Sequence, residues 1–89
     1  MKIVLRVVFA SPAGFQGWAT MELKSEFIPS LDIGYAVAPF IGAVRPFSVT
    51  LMVDSGDFMV NLGEQRCRTA ADCKALAEEF AAHGWNVMD

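Results

Sequence analysis

Soft metal ligands and imidazoles are scarce in this chain: two cysteines, Cys67 and Cys73, and one histidine, His83, among 89 residues. Two cysteines are too few for a disulfide framework. The pair suits a reducing cytoplasm, where both stay thiols. A Cys67–Cys73 bridge across a helix start is the one disulfide that geometry leaves open. The spacing C-x5-C-x9-H matches no zinc-site pattern. If Cys73 and His83 lie on one helix, about 15 Å of axial rise separates them, too far to share a metal or to act as nucleophile and base. Neither metal nor cofactor is expected.

Positive charge is also short. Seven Lys and Arg stand against ten Asp and Glu, for a net charge of −3. An acidic chain without a basic stripe is repelled by a phosphate backbone, so nucleic acid is not an expected partner. No charge-free apolar run reaches the ~18–20 residues of a membrane span. The nearest approach, residues 33–44, is short and interrupted by Gly34, Pro39 and Gly42. The start of the chain mimics a signal peptide, with Lys2 before an apolar run and Ala10-Ser11-Pro12-Ala13 after it. Arg6 interrupts that run, and the stretch reads as a strand instead. No serine lies in a G-x-S-x-G setting, and Gly14-Phe15-Gln16-Gly17 lacks the lysine and the strand-to-helix context of a phosphate loop. Without repeats, low-complexity tracts or linkers, residues 1–89 read as a single domain.

What the chain has in excess is apolar character, at 54 %. A domain this small has little interior in which to hide it, so part of that surface is expected to cover a partner, most simply a second copy in a homodimer.

Lys2 to Ala10 is apolar on both alternating sets, which predicts a central strand covered on both sides. Ser11 to Gly17 reads as a loop. From Trp18, Ala19, Met21, Leu23 and Phe27 alternate with Thr20, Glu22, Lys24 and Glu26, so the first set points inward. Phe47, Val49, Leu51 and Val53 alternate with Ser48, Thr50 and Met52 in the same way. Asp54-Ser55-Gly56-Asp57 closes a hairpin onto Phe58, Val60 and Leu62. A bulge at Gly63 would turn Gln65 and Cys67 inward, whereas an unbroken strand would put Glu64, Arg66 and Arg68 on the side of Val60. Thr69 caps a helix with the apolar stripe Cys73, Leu76, Ala77, Phe80 and Ala81, stopped at His83-Gly84. Its length of ~21 Å could cross four or five strands, and its alanines (70, 71, 75, 77, 81 and 82) permit close packing. The expected fold class is α+β: an antiparallel sheet of four to five strands, connected as a β-meander, with one C-terminal helix on one face. This layout, with its Pro39-Phe40-Ile41-Gly42 segment and a helix ending in Gly84-Trp85, is similar to that of short bacterial domains. The likeness rests on common fold features and implies no function.

Residues 28–46 resist this reading. Pro29, Pro39 and Pro46 forbid a long element, yet the stretch is too apolar for a free loop. A short strand near Asp32 to Val37 is expected, followed by a loop or second short strand over Ala38 to Arg45. The aromatics least tied to an inward face, Trp18, Tyr35, Phe40 and Trp85, could combine with Ile41 to form an interface, a core closure or a pocket over residues 33–44. Arg45, Arg66 and Arg68 could anchor an acidic ligand, or simply protect a sheet edge. Asp54, Asp57 and Glu64 lack the ligand spacing of a calcium loop and read as turn chemistry. A Cys67 nucleophile has no base in reach. The expected function is therefore a non-enzymatic, self-associating interaction module. Its alternatives are a small-molecule binder and, last, an enzyme using Cys67.

Overall fold

The structure, a computed structural model, describes residues 1–88. In chain order its elements are β1 (Lys2–Ser11), β2 (Gly14–Lys24), β3 (Tyr35–Ala36), β4 (Ala43–Val44), β5 (Ser48–Met52), β6 (Asp57–Arg66), α1 (Ala70–Ala82) and β7 (Asn86–Met88). A five-stranded sheet in the order β5-β6-β1-β2-β7 carries α1 on one face, and β3 and β4 form a separate two-stranded hairpin. The α+β class, with an antiparallel-rich sheet of five strands and a C-terminal helix, is the one the sequence predicts.

The connectivity differs from a meander. β1 takes the centre and pairs antiparallel with β2 but parallel with β6. β6, α1 and β7 thus form a split crossover, with β1 and β2 inserted between its two strands. The reason lies in composition: β1 is the most uniformly apolar stretch of the chain, and the middle of a sheet is where its backbone edges are best shielded.

Ile3, Leu5, Val7 and Phe9 of β1 are almost fully buried, with Ala19, Val60 and Leu62 beside them on the same face. The opposite face of β1 (Val4, Arg6, Val8 and Ala10) is half-buried, so the expected cover on both sides is present on one side only. α1 packs over β1, β2 and β7 rather than the whole sheet. The rest of the buried face is closed by Tyr35, Val37, Phe40 and Val44, which pack against the core. Residues 28–46 therefore share the lid with the helix, which accounts for a stretch too apolar to be a loop and too broken to be an element.

Local chemistry sets the boundaries. The loop expected over Ser11 to Gly17 contracts to Pro12 and Ala13 between β1 and β2, with a register shift at Phe9/Ala10. Gly63, at φ +100°, carries the bulge in β6, where the pairing with β1 jumps from Arg6–Asn61 to Val8–Glu64. Its N–H donates to Asn61 Oδ1 (3.0 Å). Beyond it, Gln65 lies beside Phe9 and Cys67 packs on the core, while Glu64 and Arg66 turn to the uncovered face. The Asp72 N–H donates to Thr69 Oγ1 at the start of α1 (3.1 Å). At its end, Gly84 (φ +90°) donates to the Ala81 carbonyl and Trp85 N–H to that of Phe80. This is the paired-bond stop that a left-handed glycine permits.

Three further expectations are corrected. Phe27 falls beyond the end of β2 and is exposed rather than core. Phe47, Leu51 and Val53 share the parity of Val49 but are exposed, because β5 is an edge strand beyond the helix. Of the helix alanines only Ala77 packs on the core. The other five are exposed, because Cys73 and Phe80 set the buried side of α1 and these alanines lie off it or at its margin.

Candidate functional site

The residues singled out by the sequence separate onto different surfaces. Trp18 lies on the uncovered face, where the Arg6 guanidinium sits 5.8 Å from its ring centroid and Phe15 packs at 5.7 Å. Tyr35 and Phe40 are on the opposite, buried side and half-covered. Ile41, next to Phe40, is fully exposed. Trp85 belongs to the core: its Nε1–H donates to the Ala38 carbonyl (2.8 Å), tying the end of α1 to the 28–46 lid. Phe80 stands at the centre, edge-on to Phe9, Phe40 and Trp85 at 5.2, 5.4 and 5.1 Å.

The arginines are likewise dispersed. Arg66 is on the uncovered face, and its Nε lies 3.5 Å from Glu64 Oε1, so its charge is already met. Arg68 is exposed on the link to α1, and Arg45 is exposed before β5. Lys2 bridges Glu22 (3.5 Å) and Asp57 (3.6 Å) across the uncovered face. At the turn between β5 and β6, the Asp57 N–H donates to Ser55 Oγ, while Asp54 is exposed. Among the described residues no cluster of three metal-ligating side chains occurs, and no helix is long and apolar enough to cross a membrane.

Cys67 and Cys73 are both free thiols. Burial pushes the Cys67 thiol up to about 11, reinforced by the neighbouring Cys73 and the Asp72 carboxylate. Thiolate character is what makes a cysteine nucleophilic, so this environment works against reactivity. His83 is committed elsewhere, with its Nδ1–H donating to the Glu79 carbonyl (2.9 Å).

Two clefts border the helix. One of about 240 Å³ lies between Pro39–Ile41 and α1, over Gln65. It is on the side where a pocket over residues 33–44 is expected, but none of the three arginines lines it. The larger, of about 520 Å³, opens on the other side of the helix, between α1 and β7. Phe9, Cys73, Ala77, Val87 and Met88 line it, with Lys74 and Glu78 at its margin.

Exposed large apolar side chains gather in two stretches, Phe27, Ile28, Leu31 and Ile33 after β2, and Phe47, Leu51 and Val53 in and around β5, with Phe15 and Ile41 standing apart from both. Sequence reasoning passed over the second group because alternation reports a strand's two faces, not whether anything covers them. The signal available was the run Phe47 to Val53 itself, seven residues without a charge, proline or glycine.

Comparison with protein-family models, with curated proteins and with solved structures finds no match to this chain.

Proposed function

We propose that this domain is a non-enzymatic interaction module that self-associates through apolar surface. The observation that carries the reading is the exposed apolar group around β5: a small fold that already buries a complete core still presents Phe47, Leu51 and Val53 to water. Surface of this kind, when contiguous, marks interaction sites. The unreactive setting of Cys67 supports a role without covalent chemistry, and two unbonded thiols suit the cytoplasm. Light scattering coupled to size exclusion, run from about 5 µM to about 500 µM, tests it. A rise to twice the chain mass is expected, and a constant monomer mass overturns the reading.

A second reading is favoured by the α1–β7 groove, whose volume of about 520 Å³ lies within the range of small-molecule sites. Its apolar lining suits a small apolar ligand. Ala77→Trp fills the groove, so it should abolish thermal stabilisation by an apolar probe such as a medium-chain fatty acid. Absence of any such stabilisation in the parent protein removes this reading.

A further inference from the structure

One pair of side chains stands outside the function proposed above. Cys67 and Cys73 flank the entry of α1: Cys67 lies two residues before the cap Thr69, and Cys73 is the fourth residue of the helix. At helix starts the residue before the cap often packs on the fourth helical residue, which fixes the angle at which the chain enters. Here Arg68, in that place, is exposed, and Cys67 takes over the contact. Its side chain packs on the core to which Cys73 belongs, and the two thiols are hydrogen-bonding neighbours. Backbone bonds hold both ends. The Cys67 N–H donates to the Ala10 carbonyl (2.8 Å) and the Cys73 N–H to that of Thr69 (3.1 Å).

The two thiols differ in access. Cys73 is 2 % exposed. Cys67 is half-buried and borders a surface cleft of about 420 Å³ with Ser11, Pro12, Glu64 and Arg66. A reagent from solution therefore meets Cys67 first, and Cys73 reacts only with what Cys67 carries.

We propose that Cys67 and Cys73 form a reversible redox latch: a small-molecule disulfide of the glutathione class oxidises them to an intramolecular disulfide that ties the end of β6 to the first turn of α1. The Cys67 thiolate attacks one sulfur of the small disulfide, forming a mixed disulfide and releasing one thiolate. Cys73 gives up its proton and attacks the Cys67 sulfur, releasing the second. Two protein thiols lose two protons and two electrons, and the small disulfide leaves as two thiols. Burial, Cys73 and the Asp72 carboxylate keep the Cys67 thiolate scarce, so closing is slow. A latch, unlike a catalytic thiol, needs no rapid turnover. The same environment favours the closed form, because the disulfides that reopen most readily are those whose thiolates the protein stabilises. The bridge closes a ring of seven residues, Cys67 to Cys73, and so restrains the unfolded chain more than the folded one.

The test is incubation of the folded chain with oxidised glutathione at about pH 8, then intact-mass analysis and a count of free thiols by maleimide after denaturation. The parent should lose about 2 Da, keep no free thiol and remain a single chain. Its Tm should rise by roughly 5–15 °C and fall back on adding dithiothreitol. Cys73→Ala should stop at one glutathione adduct on Cys67. Cys67→Ala should acquire neither bond nor adduct, because Cys73 is out of reach in the folded chain. Circular dichroism confirms the fold of both variants, and the parent decides by itself if either misfolds. A bridge that forms only in urea, two adducts in place of a bridge, or a bond between two chains overturns the latch. So does a bridge that leaves Tm unchanged or lowers it. A folded Cys67→Ala chain that takes up glutathione at Cys73 overturns the order of attack and the access on which the latch rests.

Discussion

Phe80 is the residue on which most of the packing converges. It is 1 % exposed and meets β1 through Phe9, the 28–46 lid through Phe40 and the helix stop through Trp85. Phe80→Ala should cost about 3–5 kcal/mol, since the cavity is walled by three rings that cannot all collapse into it. That is a large part of the roughly 5–10 kcal/mol expected of a domain this size, and urea unfolding followed by tryptophan fluorescence measures it. Cys67 gives a second prediction at this scale. With its thiol raised to about 11, alkylation at pH 8 should run about a hundredfold slower than for an unperturbed thiol, as a mass-resolved time course would show. The sign for stability follows. A group whose pKa is raised by folding contributes stability that is complete below the ordinary thiol range and lost as pH climbs through about 11. Burial raises the Tyr35 phenol in the same direction. Urea midpoints should therefore decline on the alkaline side from about pH 9 upward.

At the scale of elements, two glycines hold positions that no other residue occupies without strain. Gly84 ends α1 at φ +90°, and Gly84→Ala should cost about 1 kcal/mol, lowering Tm by roughly 4–8 °C. Gly63 separates strain from register. Gly63→Ala should cost about 1–2 kcal/mol at φ +100°. Deleting Gly63 removes the extra residue, so that Glu64 and Arg66 turn into the core side and Gln65 and Cys67 out of it; cooperative unfolding should be lost. Differential scanning calorimetry of the two variants distinguishes these effects. The helix stop was legible from His83-Gly84 alone, because a left-handed cap is a local requirement. The bulge was legible only as one of two parities, because choosing between them requires knowing that Phe9 lies alongside.

For the whole molecule, the position of β1 decides most of what is exposed. By pairing with β6 as well as β2 it carries the β5–β6 hairpin to one side of the sheet and leaves β5 as an edge. α1 reaches β1, β2 and β7, so the β5 end of the covered face depends on the 28–46 lid and stays partly bare. Trp85 fastens that lid through Ala38 across 47 residues of sequence. Trp85→Phe keeps the ring contact but removes the bond, and should cost about 1 kcal/mol while leaving far-ultraviolet circular dichroism unchanged. If the native state is a dimer, Tm should rise with protein concentration, and a Tm independent of concentration over a hundredfold range counts against association.

The sequence by itself determined the elements: the apolar run of β1, alternation in β2, β5 and β6, the helical stripe through Cys73 and Phe80, the hairpin turn at Asp54 to Asp57, and the caps at Thr69 and Gly84. Each depends on residues within about one turn or one strand of each other, where sterics and hydrogen bonding are local. Only the tertiary structure decided that β1 runs parallel to β6, that residues 28–46 form half of the lid, and that Trp18 and Phe40 lie on opposite sides of the sheet. It alone revealed Phe47, Leu51 and Val53 as surface. These depend on which strands become neighbours, and burial is a property of the neighbour as much as of the residue itself.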